Sequence, residues 1–461
     1  MKRLLALLLI GAMSLSAVAC GSVEENNFPA ATEEEVTTET EEAVTEEISE
    51  EAVAADITLW TYPIGKFDDP TTVNEIITAF NEKYPDVNVS VEYLNYTSGD
   101  DKVAEAIENG TAPDIVFEGP ERLVANWGAK GKLVDLEDLW TADTVADVVA
   151  NSAAVEAACK SPEGIYYEYP LCMTTHTMVI NKEIFEKAGA FELINSDRTW
   201  TTENFEKALQ LIKDSGLVEK TGIVYCGGNS GDQGTRALAM NLYNAEFTSE
   251  DHTEYIMNEE AGVKGLQQLV DWCEAGLLSY DANMVATDEI PMFSDGMLAM
   301  SFCWNAVHEE SYKEAIAESG FTPYAVAFPS DDGVPELCGG IWGFGIFDNG
   351  DAAKVSAAKA FIRFVCDDPV QGPKSVIATN LFPVRASLEK IYAGTEEEER
   401  MTTYGSFAKW LGDYYYVTPG WAEQRIEWWK LLQRIFDGGD VQTEADIYNA
   451  NCAAATAETL D

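Results

Sequence analysis

The 461-residue chain is poor in positive charge and in histidine. It holds 29 Lys and Arg against 80 Asp and Glu, a formal net charge of −51, and only three His: His176, His252 and His308. An excess of negative charge this large disfavours nucleic acids, anionic membrane surfaces and anionic substrates as partners. The scarcity of histidine leaves little material for histidine-based catalysis or a His-rich metal site. Neutral or cationic small ligands remain.

Closely spaced cysteines are also missing. The eight cysteines after Cys20 form no CxxC pair; they are Cys159, Cys172, Cys226, Cys273, Cys303, Cys338, Cys366 and Cys452. This spacing argues against a tetrahedral metal cluster. The glycine-rich loop at residues 226–234 lacks the Lys followed by Ser or Thr that a phosphate-binding loop contains. We therefore expect no metal and no cofactor, and we expect most of these cysteines to be buried free thiols.

The N-terminus carries an apolar run that is too short to span a membrane. Two basic residues precede the apolar residues 4–15, which is the layout of an export signal at residues 1–19. The sequence AVACG at residues 17–21 resembles the lipobox of bacterial lipoproteins, although Ala17 stands where that family usually has Leu. The resemblance implies that Cys20 is acylated and anchors the protein to the extracytoplasmic face of the cell membrane.

An acidic segment follows the lipobox. Residues 21–55 contain twelve Glu and no Lys or Arg. Such a segment repels itself and cannot bury enough apolar surface to offset its ordering entropy. We therefore predict that residues 20–55 comprise the lipidated cysteine and a disordered stalk. Residues 56–461 are too many for one ordinary core, which predicts two lobes.

Beyond the stalk, strand and helix patterns alternate. A β-rich run at residues 57–62 precedes helical spacing at 71–85, alternation at 87–91, a helix at 101–109 and a strand at 113–117. This order predicts a parallel sheet with helices on both faces. Similar patterns predict later strands at residues 174–181, 222–225, 298–303, 325–328 and 343–347 and helices at 200–216 and 352–366.

Several pieces of the chain occur in a familiar order. They are ITLWTY, AFNEKYPDVNVSVEY, NGTAPDIVFEGPERL, GIYYEYPLCMTTHTMVINKEIFEKAG, TWTTENFEKALQLIK, MFSDGMLAMSFCWNA, GGIWGFGIF and LFPVRASL. This ordered set resembles the extracellular solute-binding proteins of ABC importers, family 1, in the sugar-binding branch related to maltose-binding protein. The resemblance covers nearly all of residues 56–461, and the set carries it rather than any single piece.

The resemblance implies an α/β fold of the two-lobed, periplasmic-binding-protein-like (type II) class. A hinge joins the lobes, and the ligand lies in the cleft between them. On this basis we assign residues 56–137 plus 322–370 to lobe 1 and residues 138–321 plus 371–461 to lobe 2.

The resemblance also implies a function. The chain is expected to be the lipid-anchored substrate-binding component of an ABC importer, a monomer and not an enzyme. It would capture a mono- or oligosaccharide by hinge closure and deliver it to the permease subunits in the membrane. Two alternatives stay open: a binding protein for another solute, such as a polyamine or peptide, and a surface glycosidase. No local pattern marks the pair of carboxyls that a glycosidase needs.

Two candidate ligand-binding residues follow from the predicted sheet. A sugar requires a flat apolar face and polar partners for its hydroxyls. Tyr62 ends the first predicted strand and Glu118 follows the third, and ligands bind at this edge of open α/β sheets. The alternatives are a surface aromatic for Tyr62, and for Glu118 a favourable charge at the start of the helix that begins near Pro120.

Three tryptophans are further candidates. Trp304 follows the apolar run MLAMSFC and resembles the family aromatic that stacks on sugar; a core tryptophan is the alternative. Trp342 lies among small residues in GGIWG, which let a ligand approach the backbone. Trp421 lies in VTPGWAEQ and matches a family loop that lines the cleft.

The remaining candidates are polar. Thr174 and His176 match the family stretch that crosses into the second lobe. Arg385, in FPVR, could donate hydrogen bonds to sugar hydroxyls, but a structural ion pair is equally consistent with so acidic a chain.

Overall fold

The computed structural model describes residues 54–460, apart from residue 97 and segments 229–232, 250–251 and 413–417. The predicted signal peptide, Cys20 and nearly all of the stalk lie outside the described residues. Among the helices that are described, none is both long and apolar enough to cross a bilayer.

The strands are numbered in chain order. They are β1 Ala55–Thr61, β2 Val87–Tyr93, β3 Ile115–Glu118, β4 Tyr169–Thr175, β5 Thr177–Asn181, β6 Ile223–Tyr225, β7 Ser279–Asp281, β8 Met300–Trp304, β9 Pro323–Val326, β10 Gly339–Ile346 and β11 Phe382–Pro383.

The α-helices are numbered in the same way. They are α1 Pro70–Lys83, α2 Gly99–Glu108, α3 Pro120–Arg122, α4 Ala142–Asn151, α5 Ala153–Ala158, α6 Lys182–Ala188, α7 Thr202–Ser215, α8 Gln233–Asn241, α9 Glu260–Glu274, α10 Ala286–Ser294, α11 Ala306–Ser311, α12 Lys313–Ser319, α13 Ala352–Asp367, α14 Gln371–Thr379, α15 Glu398–Gly405, α16 Trp421–Phe436 and α17 Val441–Leu460. A π-helical turn, Leu123–Gly128, continues α3.

Six strands form the larger sheet, in the order β11-β4-β10-β3-β1-β2. β1 pairs parallel with both β2 and β3, and β10 lies antiparallel between β3 and β4. The chain therefore begins β1-α1-β2-α2-β3, and the predicted strand-helix alternation with parallel pairing is confirmed. The carboxyl ends of β1, β2 and β3 lie at one edge of this sheet.

Local sequence explains where α1 begins and which face it buries. Asp69 accepts a hydrogen bond from the Thr71 backbone amide at 3.0 Å, and Pro70 occupies the first helical position, where its missing N–H costs nothing. The side chains at helical spacing, Val73, Ile76, Ile77 and Phe80, are all buried. The helix thus packs its apolar stripe on the sheet.

An aromatic cluster fills the space between the large sheet and its helices. Phe117 on β3 packs against Phe67 and against Phe344 on β10, with ring centroids 4.6 Å apart in both pairs. Phe361 on α13 meets Phe80 edge to face at 5.2 Å. Such pairs add specific geometry to the apolar area that they bury, and they hold the sheet edge in a fixed position.

The second half of the chain builds smaller sheets. β8, β5 and β9 form an antiparallel sheet, and β6 and β7 form a parallel pair. α7 begins at the N-cap Thr201, whose side chain accepts from the Asn204 amide at 3.2 Å, and ends before Gly216, whose φ of +64° requires the left-handed region. The predicted helix at 200–216 is therefore confirmed.

The prediction of one strand at residues 174–181 is wrong. The run is broken at His176: β4 pairs with β10 and β11 in the large sheet, and β5 pairs with β8 and β9 in the three-stranded sheet. The His176 amide donates to the Cys338 carbonyl at 2.8 Å, so the turn is held in place. The chain crosses between sheets here and returns between β9 and β10.

The sheet pairing also bears on the predicted lobe boundaries. The boundaries assign β4 and β11 to lobe 2, whereas both strands lie in the large sheet with β1, β2 and β3. The reason is that β10 pairs with β3 on one side and β4 on the other, which joins the two groups into one sheet. The positions at which the lobes divide stay a prediction.

The cysteines behave as expected. Most of the eight that follow Cys20 are free thiols, and all eight except Cys273 are buried.

Candidate ligand-binding site

Three neighbouring parallel strands bring side chains to one edge of the large sheet. Tyr62 follows β1, Tyr96 lies just beyond β2, and Glu118 ends β3. The rings of Tyr62 and Tyr96 stack with centroids 5.2 Å apart at an interplanar angle of 27°. Tyr62 is fully buried, whereas Tyr96 keeps 50% of its surface exposed. The edge therefore presents one open aromatic face where open α/β sheets bind ligands.

Arg122, at the end of α3, connects the acidic groups of this edge. Its guanidinium donates to Asp100 twice, with Nε–Oδ1 2.8 Å and Nη2–Oδ2 3.0 Å, and the Tyr62 hydroxyl donates to the same carboxylate. Nη1 lies 3.2 Å from Glu118 Oε1 and 3.4 Å from Glu121 Oε1. Paired, charge-assisted hydrogen bonds fix the plane of the guanidinium. Arg122 is therefore a rigid element of the site.

A tryptophan from the far end of the chain completes the cluster. The Arg122 guanidinium carbon lies 5.2 Å from the Tyr62 ring centroid, 5.6 Å from that of Tyr96 and 5.8 Å from that of Trp421. Trp421 begins α16, and Arg425, one turn later, lies 4.6 Å from its ring. The cluster is therefore built from two distant parts of the chain, residues 62–122 and residues 421–425. Each part contributes aromatic and charged side chains.

Two carboxyls lie buried beneath the cluster. Glu118 and Glu168 have no exposed surface, and burial raises the pKa of both, although Arg122 opposes the rise at Glu118. Gly343 lies between them: it is in register with Glu118, and a Cβ at Gly343 would lie 2.8 Å from Glu168 Cγ. Within the described residues, no three His, Cys, Asp or Glu side chains are arranged to hold a metal ion.

The predicted residues Tyr62, Glu118 and Trp421 are brought together in this cluster. Trp342 lies close by, because the Ile341 carbonyl would be 2.8 Å from a Cβ at Gly119, the residue after Glu118. The Trp342 ring is partly exposed and covers Gly340.

Thr174 and His176 lie further along the same strand arrangement. Thr174 pairs in register with Gly340, is 1% exposed, and has no hydrogen-bond partner for its hydroxyl within the described residues. His176 is the residue at which the chain crosses between sheets, and it is 9% exposed. Neither residue contacts the Arg122 cluster through a described hydrogen bond.

Trp304 is placed in the core. It is fully buried, its Nε1 donates to the Tyr404 hydroxyl at 2.7 Å, and it meets Phe293 edge to face at 5.3 Å. The Tyr404 hydroxyl in turn donates to Glu309 at 2.6 Å. In this conformation the indole has no face open to a ligand.

Arg385 takes part in a structural ion pair. It pairs with Asp367, on the last turn of α13, and donates to the Tyr169 hydroxyl at 2.9 Å. The guanidinium is nearly buried, so its donors serve contacts within the large sheet and its helices.

Five residues of the cluster are not among those predicted from the sequence: Tyr96, Asp100, Glu121, Arg122 and Arg425. Tyr96 could be predicted on the same ground as Tyr62, since both lie at the carboxyl ends of parallel strands. Arg122 stands four residues after Glu118 in a chain with few cations, which is a usable signal. Asp100 and Arg425 lie on helices far apart in sequence, and only the folded chain brings Asp100 to Arg122 and Arg425, with Trp421, into the same cluster.

The chain matches the model of a known protein family. Residues 75–403, more than two thirds of the sequence, match the model described as bacterial extracellular solute-binding protein. The chain belongs to this family of solute-binding proteins.

Solved structures share the fold. The GacH receptor of Streptomyces glaucescens, solved unliganded and with acarbose, is 17% identical, with 88% of this chain and 98% of that chain covered and a TM-score of 0.68. The sugar-binding protein MalE of Xanthomonas citri is 14% identical, with 88% and 98% covered and a TM-score of 0.70. An ABC substrate-binding protein of Listeria monocytogenes, in complex with cycloalternan, is 18% identical, with 87% and 98% covered and a TM-score of 0.66. The two-domain α/β fold expected from the sequence is confirmed.

Proposed function

We propose that this protein is the carbohydrate-capturing component of an ABC importer. The observation that carries the proposal is the convergence of Tyr96, Arg122 and Trp421 at the carboxyl edge of parallel strands. An open aromatic ring suits the C–H face of a sugar, and fixed guanidinium and carboxylate groups suit its hydroxyls. The ligands of the structural neighbours, acarbose and cycloalternan among them, support the same solute class.

A saccharide fits the site better than a polyamine. A polyamine would require unpaired carboxylates beside the aromatic face. Asp100 accepts two hydrogen bonds from Arg122, and Glu118 pairs with the same guanidinium, so neither carboxylate lacks a cationic partner. The protein is a capture protein and not a glycosidase in this proposal, so the bound sugar leaves unchanged.

The first test is a ligand panel. The exported protein is heated alone and with maltose, maltotriose, tagatose and cycloalternan, and, as other solute classes, with spermidine and a tripeptide. A ligand at about 100 times its Kd stabilises the folded state by about 2.7 kcal/mol, so a genuine ligand raises the Tm clearly. We expect a saccharide to do so and to be recovered intact. Stabilisation by spermidine alone, or cleavage of the sugar, would contradict the proposal.

We propose further that Cys20 holds the protein on the extracytoplasmic face of the membrane. The lipobox-like sequence around Cys20 supports this, and the acidic residues that follow suit a stalk between lipid and domain. Two acyl chains give stable attachment, which one chain does not.

The test compares two cysteine variants in the native host. Cys20→Ser should move the protein from the membrane fraction to the soluble fraction, because no acyl chain is attached. Cys273→Ser, which changes a partly exposed thiol of the folded domain, is the control and should stay with the membrane. If Cys20→Ser also stays membrane-bound, the anchoring proposal fails.

A further inference from the structure

Glu168 is buried in a way that its own contacts do not explain. The residue has no exposed surface and precedes β4. Its backbone is engaged: the carbonyl accepts from Trp140 Nε1 at 3.0 Å, and the amide donates to the Cys159 carbonyl at 3.3 Å. Both carboxylate oxygens lack a hydrogen-bond partner within the described residues. An ionised carboxylate in such a place is strongly destabilising, so the group is favoured as a neutral acid.

The charged groups that face Glu168 are themselves acidic. Glu118 lies across Gly343 on β3, and Glu121 lies on α3. Burial first, and then these two carboxylates, raise the pKa of Glu168 well above its ordinary value. Arg122 stabilises the ionised form of Glu118, with which it pairs at 3.2 Å, but has no contact with Glu168. Burial and two acidic neighbours therefore both favour the neutral form of Glu168.

The remaining titratable neighbours are thiols. Cys159, at the end of α5, and Cys172, on β4, are buried beside Glu168, and burial and this carboxylate raise the pKa of both thiols. Neutral thiols cannot compensate a negative charge. The groups around Glu168 thus all favour the protonated, neutral form of its carboxyl.

The segment that carries Arg122 packs closely against Tyr167, the neighbour of Glu168 in the chain. A Cβ at Gly128 would lie 2.5 Å from the ring of Tyr167, the residue before Glu168, and a Cβ at Gly345 would lie 2.7 Å from Leu123. The stretch 119–128 is therefore packed without spare room onto Tyr167 and β10, and Arg122 is part of it.

We propose that Glu168 is a positioning residue for ligand capture: as a neutral acid it lets the segment bearing Arg122 pack on the sheet, and its ionisation loosens that segment and weakens binding. The inference rests on the proposed function, because Arg122 belongs to the proposed sugar site. Glu168 itself does not contact the ligand.

The first measurement uses the ligand-free protein. A group whose pKa is raised on folding adds stability at low pH that is lost as the pH rises. Above about pH 5, where a glutamate of the unfolded chain is ionised, the wild-type Tm should therefore fall as the pH rises. Glu168→Gln should reduce this fall by the contribution of about one proton. The amide keeps the shape but cannot ionise. An unchanged pH dependence in Glu168→Gln would overturn the proposal.

Glu289 supplies the matched control. It is equally buried, and burial raises its pKa to about 8, but it accepts hydrogen bonds from Ser301 Oγ at 2.6 Å and from the Phe302 amide at 3.2 Å. It lies on α10, away from the Arg122 cluster. Glu289→Gln should therefore alter the pH dependence of the Tm without altering the pH dependence of binding.

The second measurement is calorimetry with maltotriose as the probe. The wild-type Kd should rise several-fold once the pH is high enough to ionise Glu168, and Glu289→Gln should show the same rise. Glu168→Gln should bind with a nearly constant Kd, and a wild-type-like rise in this variant would overturn the proposal. If maltotriose binds at no pH, the proposed sugar function fails, and the Tm measurement still decides whether Glu168 carries the proton.

A measurement on the wild type covers the case in which Glu168→Gln does not fold. The infrared C=O band of a neutral carboxylic acid should be present near neutral pH and decline as the pH rises. In Glu289→Gln part of this band should remain, since Glu168 still contributes. Absence of the band from that variant would contradict a neutral Glu168.

Discussion

At the scale of the residue, solvent exposure distinguishes the roles of Tyr96 and Trp304, which the sequence alone does not distinguish. Tyr96 is half exposed beside Arg122, whereas Trp304 is fully buried and hydrogen-bonded to Tyr404. An exposed ring beside fixed polar groups can stack on a sugar. A buried ring with a satisfied N–H contributes to the core instead. The two residues should therefore respond differently to substitution.

Tyr96→Ala should weaken saccharide binding about tenfold, or about 1.4 kcal/mol, and leave the Tm nearly unchanged, because it removes a stacking surface but little core. Trp304→Phe should lower the Tm and leave saccharide binding nearly unchanged. It removes the hydrogen bond to Tyr404 and leaves a cavity, which costs about 2 kcal/mol of stability, and the Kd should stay close to wild type. Calorimetry and thermal unfolding of both variants check this. A large loss of affinity in Trp304→Phe with an unchanged Tm would restore Trp304 to the site.

Some residues of the site could be predicted from the sequence, and others could not. Tyr62 and Glu118 were found because strand ends locate a sheet edge before the fold is known. Arg385 could be assigned to a sugar or to an ion pair, and only its contact with Asp367 decides which partner it has. Glu168 carried no signal, since its significance lies in what surrounds it and not in its neighbours along the chain.

At the scale of the element, helices were predicted better than strand pairing. The helix predicted at 352–366 corresponds to α13, which spans Ala352–Asp367, because its N-cap Asp351 and its apolar spacing are local features. Residues 174–181 are mostly types that favour strands, and on this basis the sequence predicts a single strand. The break at His176 follows from partners more than a hundred residues away, which periodicity does not encode.

At the scale of the whole molecule, the chain joins its sheets through more than one connection. It passes from the large sheet to the three-stranded sheet at His176 and returns between β9 and β10. Paired connections of this kind suit a hinge, in which a few residues absorb the change while the packed halves stay rigid. The Arg122 guanidinium carbon lies 5.8 Å from the Trp421 ring centroid, although the two residues are distant in sequence. We expect a bound sugar to stabilise this approach.

The most direct test of the account is small-angle X-ray scattering of the exported protein with and without saturating maltotriose. Both samples contain the same chain, so a difference between the two profiles reports a change caused by the sugar. Capture by hinge closure predicts a smaller radius of gyration in the presence of the sugar. Identical profiles, with binding established by calorimetry on the same sample, would contradict closure over a captured solute.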